Sequence, residues 1–494
     1  WGKHRLELFD NQGASGFFGD LEVDWRIMQA QSDYDRPDAK MYTWRGWENT
    51  SFQFTASSAA TNYILWENME EENSGYRLDL SLPISENNPI SAVLKSGLYT
   101  LDRERNGYRY NWRYSRGLTL PQEIRESPDP AIIFSPEYIE GDTSGDGLVI
   151  SSGGVAPEND FGIDRGDHYL VEQHSDAYYF LADINIKEKL RINIGARYEA
   201  FDISADQYTY SAEPLFDLLD EDKVLPSMTL TYLFNDAWQM RAAFSQTVSW
   251  PEVFEVLPRR FRDIENLTTY IGNPDLKPAD IDNYDLRVEW YPSDTESVTL
   301  ALFHKELTNA IENVFDSLGD DYDYYTFSNV ESAEVSGWEV DLRQEFTFGE
   351  DDGHGLFVQF NYTDIISEVN LPEDSKEYDP NRPLQGQPDY IVNLQIGYDH
   401  IDTNQELTLV FNRKGEELTV VTPAVGQNVS NVYTEPFDDL KLIYTKRFLN
   451  DLSLSFSAEN ILNAKKSQVY ELDKVPYLSY EPGLRFKLTA DYRF

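Results

Sequence analysis

The 494-residue chain contains no cysteine, so disulfides, thiolate nucleophiles and cysteine-ligated metals are excluded. It also lacks any apolar run near the ~20 residues that a transmembrane helix needs, and its mean hydropathy is −0.54. Positive charge is scarce: 41 Lys and Arg face 87 Asp and Glu, a formal net charge of −46. That balance argues against nucleic acid, whose phosphates would be repelled, and against basic docking on an anionic membrane surface. The opening WGKHRLELFD shows no basic segment followed by an apolar stretch. A signal peptide has been removed, or the sequence starts downstream of one. Catalytic signatures are missing too: there is no G-x-S-x-G elbow and no H-E-x-x-H pair. His168 and His174 would lie ~20 Å apart on an extended strand, too far to share a metal. Asp167-His168 and Asp399-His400 are strand neighbours that point to opposite faces, so neither pair is a dyad. No enzyme activity is expected.

Aromatics are plentiful, with 32 Tyr, 27 Phe and 10 Trp. Strict alternation accompanies them. Leu190, Ile192, Ile194, Ala196, Tyr198 and Ala200 alternate with Arg191, Asn193, Gly195, Arg197 and Glu199. The last residues split as Leu484, Phe486, Leu488, Ala490, Tyr492 and Phe494 against Arg485, Lys487, Thr489, Asp491 and Arg493. Strand side chains point alternately to two faces, so a charged face meets water and an apolar face meets a core or lipid. A soluble sandwich and an outer-membrane barrel both satisfy this pattern.

Three features favour an all-β transmembrane antiparallel barrel. The alternating runs exceed the usual ~5–6 residues of globular strands. Many apolar faces end in aromatics, which suits an interfacial girdle. Connections alternate between short ones, near 85–89, 187–188, 235–236, 292–295, 349–354, 401–404 and 448–451, and long ones, near 31–75, 116–167, 205–222, 250–278, 312–334, 371–386, 417–434 and 461–479. Barrels of this kind have short periplasmic turns and long extracellular loops. About seventeen strands are expected over residues 1–494. Single-chain bacterial barrels have even strand numbers, so an odd count suggests a start part-way round the barrel.

Candidate ligand chemistry falls in the long loops, where binding residues concentrate. The 250–278 loop offers Trp250, Phe254, Arg259, Arg260, Phe261, Arg262 and Tyr270. Arginines among aromatics can grip an anion by paired hydrogen bonds and cation–π contact; pairing with nearby acidic loops is the plainer reading. Tyr322, Tyr324 and Tyr325 join them from the acidic 312–334 loop. Trp44 and Trp47 in the 31–75 loop are equally open. Asp142, Ser144 and Asp146 begin a D-x-S-x-D-G pattern typical of Ca²⁺ loops, but position twelve is Gly153 rather than Glu. A structural Ca²⁺ there and an ordinary Asp/Gly turn both remain open.

One stretch carries a resemblance. Ile271-Gly272-Asn273-Pro274-Asp275-Leu276-Lys277-Pro278, followed by Asp282-Asn283-Tyr284-Asp285-Leu286, resembles the barrel signature of TonB-dependent outer-membrane receptors. Phe244–Pro251 looks like the entry to the same signature. Ala458-Glu459-Asn460-Ile461-Leu462-Asn463 is similar to the family's x-x-N-L-x-N segment. Pro482-Gly483 leading to terminal Phe494 resembles its last strand, although Leu484 stands where the family usually has Arg or Lys. The resemblance implies that Asn273, Pro274, Leu276, Pro278, Asn283 and Tyr284 are architectural, and that Phe494 is read by the barrel-assembly machinery. It implies a 22-stranded barrel, about seventeen strands of which are visible here, with the plug and the TonB-contacting segment outside the chain. The function implied is energised import of a scarce nutrient across the outer membrane. Its partners are the TonB complex through the plug, outer-membrane lipid and a small ligand. Ferric siderophore is the default cargo and no resident cofactor is implied. Oligosaccharide, cobalamin and peptide cargo stay open, as does a passive porin or surface-binding barrel.

Overall fold

The structure, a computed structural model, describes residues 1–6, 18–41, 44–45, 53–54, 63–85, 88–116, 121–139, 148–152, 167–208, 217–263, 268–317, 323–349, 353–371, 379, 381–422, 430–448 and 452–492. Alternation of apolar and polar residues produces one long antiparallel meander. Its strands are β1 (Gly2–Leu6), β2 (Leu21–Met41), β3 (Tyr63–Ile84), β4 (Ile90–Arg116), β5 (Asp167–Ile186) and β6 (Leu190–Tyr208). Next come β7 (Leu219–Asn235), β8 (Trp238–Ser249), β9 (Ala279–Ser293), β10 (Glu296–Thr308), β11 (Ser332–Phe348) and β12 (His354–Asn370). The meander ends with β13 (Tyr390–His400), β14 (Gln405–Lys414), β15 (Phe437–Phe448), β16 (Leu452–Glu459) and β17 (Arg485–Tyr492). Each strand pairs with its sequence neighbour, and a further short strand, Leu148–Ser152, extends the sheet beside β4. Among the described residues β1 pairs only with β2, and β17 only with β16.

The strand count agrees with the alternation. Among the described residues, the tight turns near 187–188, 235–236, 292–295 and 401–404 sit where expected. Asn235 closes one by accepting the amides of Ala237 and Trp238 at 2.9 and 3.0 Å; this Asx turn is a common use of Asn. Strand length departs from expectation on one side. β2 runs to Met41 and β3 starts at Tyr63, well inside the 31–75 segment expected to be loop. Their upper halves are polar on both faces, so alternation loses contrast there. Cross-strand pairs hold that extension, such as Arg105 Nε donating to Glu71 at 2.7 Å and Arg103 Nε donating to Asn73 at 2.9 Å.

The two faces behave oppositely to those of a soluble sandwich. Apolar side chains such as Phe180, Leu300, Leu302 and Leu488 are at least half exposed, and among the described residues no second sheet covers them. Paired aromatics bound this face. Trp238 stacks on Trp290 at 5.6 Å beside the turns, and Phe244 meets Tyr284 at 5.2 Å six residues higher. Six strand residues span roughly 20 Å, close to the ~25 Å apolar band of outer-membrane barrels. The other face is polar. There Arg191 holds Asp183 through two hydrogen bonds of 2.8 and 2.5 Å. The described part of the 250–278 connection packs on this polar face.

Candidate functional site

The 250–278 connection leaves β8 at Pro251, which cannot continue the ladder. A single helical turn, Val253–Val256, follows. Glu252 and Glu255 close it as a capping box, with the Glu255 carboxylate accepting the Glu252 amide at 2.8 Å. Burial pushes the Glu255 carboxyl up, opposed by that hydrogen bond. The turn buries Val253, Val256 and Leu257 against Tyr169, Val171, Phe201 and Ile203 on the polar face of β5 and β6. Full burial of side chains this size contributes roughly 1.5–3 kcal/mol each, so the connection is fixed to the wall.

Several candidate residues belong to this anchor. Trp250 stacks on Phe201 at 4.7 Å and donates its indole N–H to Glu199 at 2.7 Å. The Arg259 guanidinium lies 4.5 Å from the Tyr169 ring and 5.4 Å from the Phe261 ring, and the residue is 3% exposed. Tyr270 sits between Tyr325 at 5.6 Å and Phe327 at 6.2 Å. Phe254 meets Phe327 edge-on at 5.3 Å, yet its ring stays exposed. Arg260 and Arg262 lie on the strand Arg260–Asp263, which pairs with Thr268–Ile271.

The signature segment joins these parts. Asn273 donates to the Phe327 carbonyl at 2.9 Å and accepts the Asp275 amide at 3.0 Å. Its own amide donates to the Glu255 carbonyl at 2.6 Å. Leu276 is buried in the anchor core. A Cβ at Gly272 would stand 2.1 Å from the Leu257 carbonyl oxygen, so only glycine permits this approach. Asn329 reciprocates across the junction, accepting the Lys277 amide at 2.9 Å and donating to the carbonyls of Lys277 and Asn309 at 2.9 and 2.7 Å. Asn283 donates to Ser245 and Thr247 of β8 at 3.1 and 3.0 Å. Pro274 and Pro278 flank the junction, and Tyr284 opens the apolar row of β9. The segment therefore welds the 250–278 and 309–331 connections together as it returns to the wall.

Two small sheets complete the layer. One contains Arg260–Asp263, Thr268–Ile271, Asp323–Asn329 and Ile311–Ser317; the other contains Glu417–Val420, Val432–Thr434, Lys466–Tyr470 and Pro476–Tyr480. A parallel bridge from Val314 to Val421 links them. Beneath the junction Arg382 and Glu312 form a buried pair, with guanidinium–carboxylate distances of 3.0 and 2.6 Å and both side chains at most 2% exposed. Gln385 donates its amide to Glu312 at 2.9 Å, and its side chain bonds both backbone groups of Asn313 and the Thr419 carbonyl. One polar knot thus holds three connections.

Tyrosines cluster where the sheets meet. Tyr325 and Tyr477 share a hydroxyl contact at 3.1 Å, and Tyr470 meets Tyr477 edge-on at 5.6 Å. Burial pushes the Tyr325 phenol strongly up, reinforced by the Tyr477 contact. Burial, then the charge of Glu471, pushes Tyr433 up to about 12. These phenols stay neutral hydrogen-bonding groups at neutral pH. Tyr477 and Tyr480 keep exposed rings, and Tyr324 is half-buried on the adjoining strand. Loop composition points to Tyr270, Tyr324 and Tyr325 but not to Tyr433, Tyr470, Tyr477, Arg382 or Glu312. No spacing pattern marks these, because sheet pairing brings them together over long separations. Tyr322, Trp47, Phe494 and the Asp142, Ser144 and Asp146 loop lie outside the described residues. Trp44 pairs with Phe54 in a short ladder. Among the described residues no cluster of three or more acidic, His or Cys side chains could hold a metal.

A family profile described as "TonB dependent receptor-like, beta-barrel" matches residues 7–461. No curated protein matches the sequence. Solved structures do match in fold. The ferripyoverdine receptor of the outer membrane of Pseudomonas aeruginosa aligns at TM-score 0.59 and 15% identity, covering 96% of this chain and 53% of its own. The copper transporter OprC aligns at 0.58 and 13%, covering 97% and 64%. The ferric citrate transporter FecA aligns at 0.56 and 13%, covering 95% and 62%. The chain spans about half the length of the ferripyoverdine receptor it matches.

Proposed function

The chain belongs to the TonB-dependent receptor β-barrel family, and from that premise we propose that it forms the wall and mouth of a receptor importing a scarce nutrient. Membership makes it an outer-membrane protein of a family of transport receptors rather than enzymes. In this reading the sheet curls into a barrel. The apolar face meets lipid, the polar face lines the interior, the tight turns lie in the periplasm and the long connections lie outside the cell. The observation that supports it is the loop layer. Two small sheets, a buried ion pair and an asparagine-rich junction fix the connections over the polar face and present tyrosines at their surface.

Cargo binds at this layer. Tyr477, Tyr480 and Phe254 supply exposed rings, with Tyr324 beside them. Trp250, Arg259, Phe261, Tyr270 and Tyr325 form the support beneath, and Arg260 and Arg262 lie at its edge. Energy reaches the cargo from the TonB complex through a plug domain seated inside the barrel. A ferric siderophore is the proposed cargo, the class to which the ferripyoverdine receptor points. The test is uptake by the native organism. Deleting the gene should abolish growth on one iron–siderophore complex, and loss of TonB should do the same. Uptake that persists without TonB sinks the energised reading. Loss of growth on an oligosaccharide instead of iron transfers the cargo to sugars, which aromatic platforms also bind.

A further inference from the structure

The apolar face of the wall ends in polar side chains along one stretch of its rim. Register places Phe348, His354, His400, Gln405 and Lys446 opposite one another across β11 to β15, in the last tier before the tight turns. The next tier toward the strand centres is Phe346, Leu356, Tyr398, Leu407 and Tyr444, and the one after it carries Val358, Ile396, Leu409 and Leu442. Phe346, Phe348, Leu407 and Tyr444 are exposed, so the row lies on the face assigned to lipid. Successive tiers are ~7 Å apart along a strand, and the polar interface beyond the hydrocarbon is ~5–7 Å deep on each side. A tier just past two tyrosines therefore sits at headgroup depth.

Among the described residues the row offers donors and no acid. Lys446 donates to the Thr403 carbonyl and stands 5.8 Å from the Phe448 ring. It forms no ion pair with any described residue. Gln405 is spent on positioning: its amide donates to Thr403 Oγ1 at 2.7 Å and its carbonyl accepts the Tyr444 hydroxyl at 2.6 Å. The rings of His354 and His400 are 4.4 Å apart, and Phe348 stacks on His354 at 5.4 Å. The Tyr398 hydroxyl lies 2.8 Å from His354 Nδ1. Donating there, it leaves the imidazole proton on Nε2. A Cβ at Gly349 would stand 2.6 Å from His354 Cδ2 and 3.5 Å from its Nε2, so the glycine leaves that edge open. The carboxylates of these strands alternate away. Asp399 and Glu406 lie on the other face, where Glu406 holds Arg447 at 3.1 Å. Glu296, on the apolar side of β10, is occupied by Gln344 and Ser293.

We propose that this row binds the phosphates of phospholipid headgroups in the leaflet on the side of the tight turns. Lys446 takes one phosphate by charge, and His354 takes a second through Nε2. Strands ~4.8 Å apart put the two ends of the row about 14 Å from each other, so they take separate phosphates. A lipid without phosphate would leave the Lys446 ammonium with no counter-ion. The site rests on the lipid-facing orientation proposed above and is independent of the cargo.

The test is native mass spectrometry of the detergent-purified protein titrated with dioleoylphosphatidylglycerol, dioleoylglycerol and inorganic phosphate. The phospholipid should bind at least about fivefold more tightly than the phosphate-free lipid, the contribution of one lysine at an anionic headgroup. Lys446→Gln should remove one bound phospholipid and His354→Gln another. Arg447→Gln, on the opposite face, should remove none. Equal binding of the two lipids by the unmodified protein, displacement of the phospholipid by inorganic phosphate, or unchanged binding in either variant overturns the proposal. Orientation is read separately. Residues 1–494 contain no cysteine, so Leu407→Cys carries a nitroxide label one tier from the row. Its collisions with oxygen should exceed those with a water-soluble nickel chelate. A label that meets water overturns the lipid-facing orientation and the proposal with it. A label in lipid without preference for the phospholipid overturns the proposal alone.

Discussion

Replacing Arg382 by alanine removes both hydrogen bonds to Glu312, 3.0 and 2.6 Å long, and leaves a carboxylate with 2% of its side chain exposed. Breaking a buried pair on one side costs about 3–5 kcal/mol, because the remaining charge has lost its partner but not its burial. The cost falls on the loop layer rather than on the strand ladder, since Glu312 and Gln385 tie together the connections around 311–317, 381–389 and 417–420. At ~1.4 kcal/mol per factor of ten, amides of these segments should exchange with solvent roughly 10²–10³-fold faster. The ceiling is set by the layer's own opening free energy. Amides in the middle of β9 to β12 should be unchanged. The assay is hydrogen-exchange mass spectrometry on the purified chain. The double variant Arg382→Met with Glu312→Leu separates charge from packing. It removes both ions, and its main loss is the acceptor for the Gln385 amide, about 1–3 kcal/mol and hence a smaller effect than that of the single variant. Single-variant exchange equal to wild type, or a double variant as disturbed as the single, refutes the reasoning.

Three further outcomes follow from other contacts. Gly272→Ala places a methyl 2.1 Å from the Leu257 carbonyl oxygen; the 250–278 connection should detach, with protease cleavage there and intact β8 and β9. Asn460 has φ of 51°, accepts the Ala464 amide at 2.9 Å and donates to the Gly483 carbonyl at 3.0 Å. Asn460→Ala should therefore lower the unfolding midpoint more than Asn460→Gly, which loses the bonds but keeps the left-handed backbone at little cost. His174 lies above the aromatic row, bonded to Asp102 at 2.6 Å and paired with Asp176 at 3.2 Å. Asp102 foremost raises its pKa, burial opposes this, and Asp176 adds to the rise. A raised histidine stabilises fully below the unfolded pKa near ~6.5, and that stability is lost as pH rises through the folded value. The pair is well exposed, so the effect is within about 1 kcal/mol. The stability gap between wild type and His174→Gln should be present at pH 5.5 and gone by pH 8.5 in thermal unfolding.

The wall was legible in the sequence because each of its strands obeys a local rule. Leu190 to Tyr198 alternate, Asn235-Asp236 turns, and both follow from near neighbours. Where both faces become polar, as in β2 beyond Met28 and β3 before Tyr76, alternation carries no contrast, and strand looks like loop. The junction around Asn273 was legible as a motif, but its partners were not. Phe327 and Asn329 are more than fifty residues away. The Arg382–Glu312 knot left no trace at all. Its members lie 70 residues apart, and each looks like an ordinary loop charge in a chain where 26% of residues are charged.

The same distinction bears on the proposed cargo site. Arginine among aromatics reads from sequence as a ligand grip, and Arg259 has that composition. In the proposed reading it acts as a support, since it is 3% exposed with its guanidinium 4.5 Å from the Tyr169 ring. A buried cation–π contact is worth about 2 kcal/mol or more, and drawing Arg259 outward would also open the apolar anchor that covers it. A cargo contact would have to exceed both before it gained any affinity. Exposed rings carry no such cost. Tyr477 already stands at the surface with its hydroxyl oriented by Tyr325 at 3.1 Å, so a ligand stacking there spends little on ordering it. If cargo binds at this layer as proposed, selectivity rests on how firmly the buried layer holds its tyrosines, and substitutions at Arg259 or Arg382 should weaken cargo binding through the positions of Tyr325 and Tyr477 rather than through lost contact.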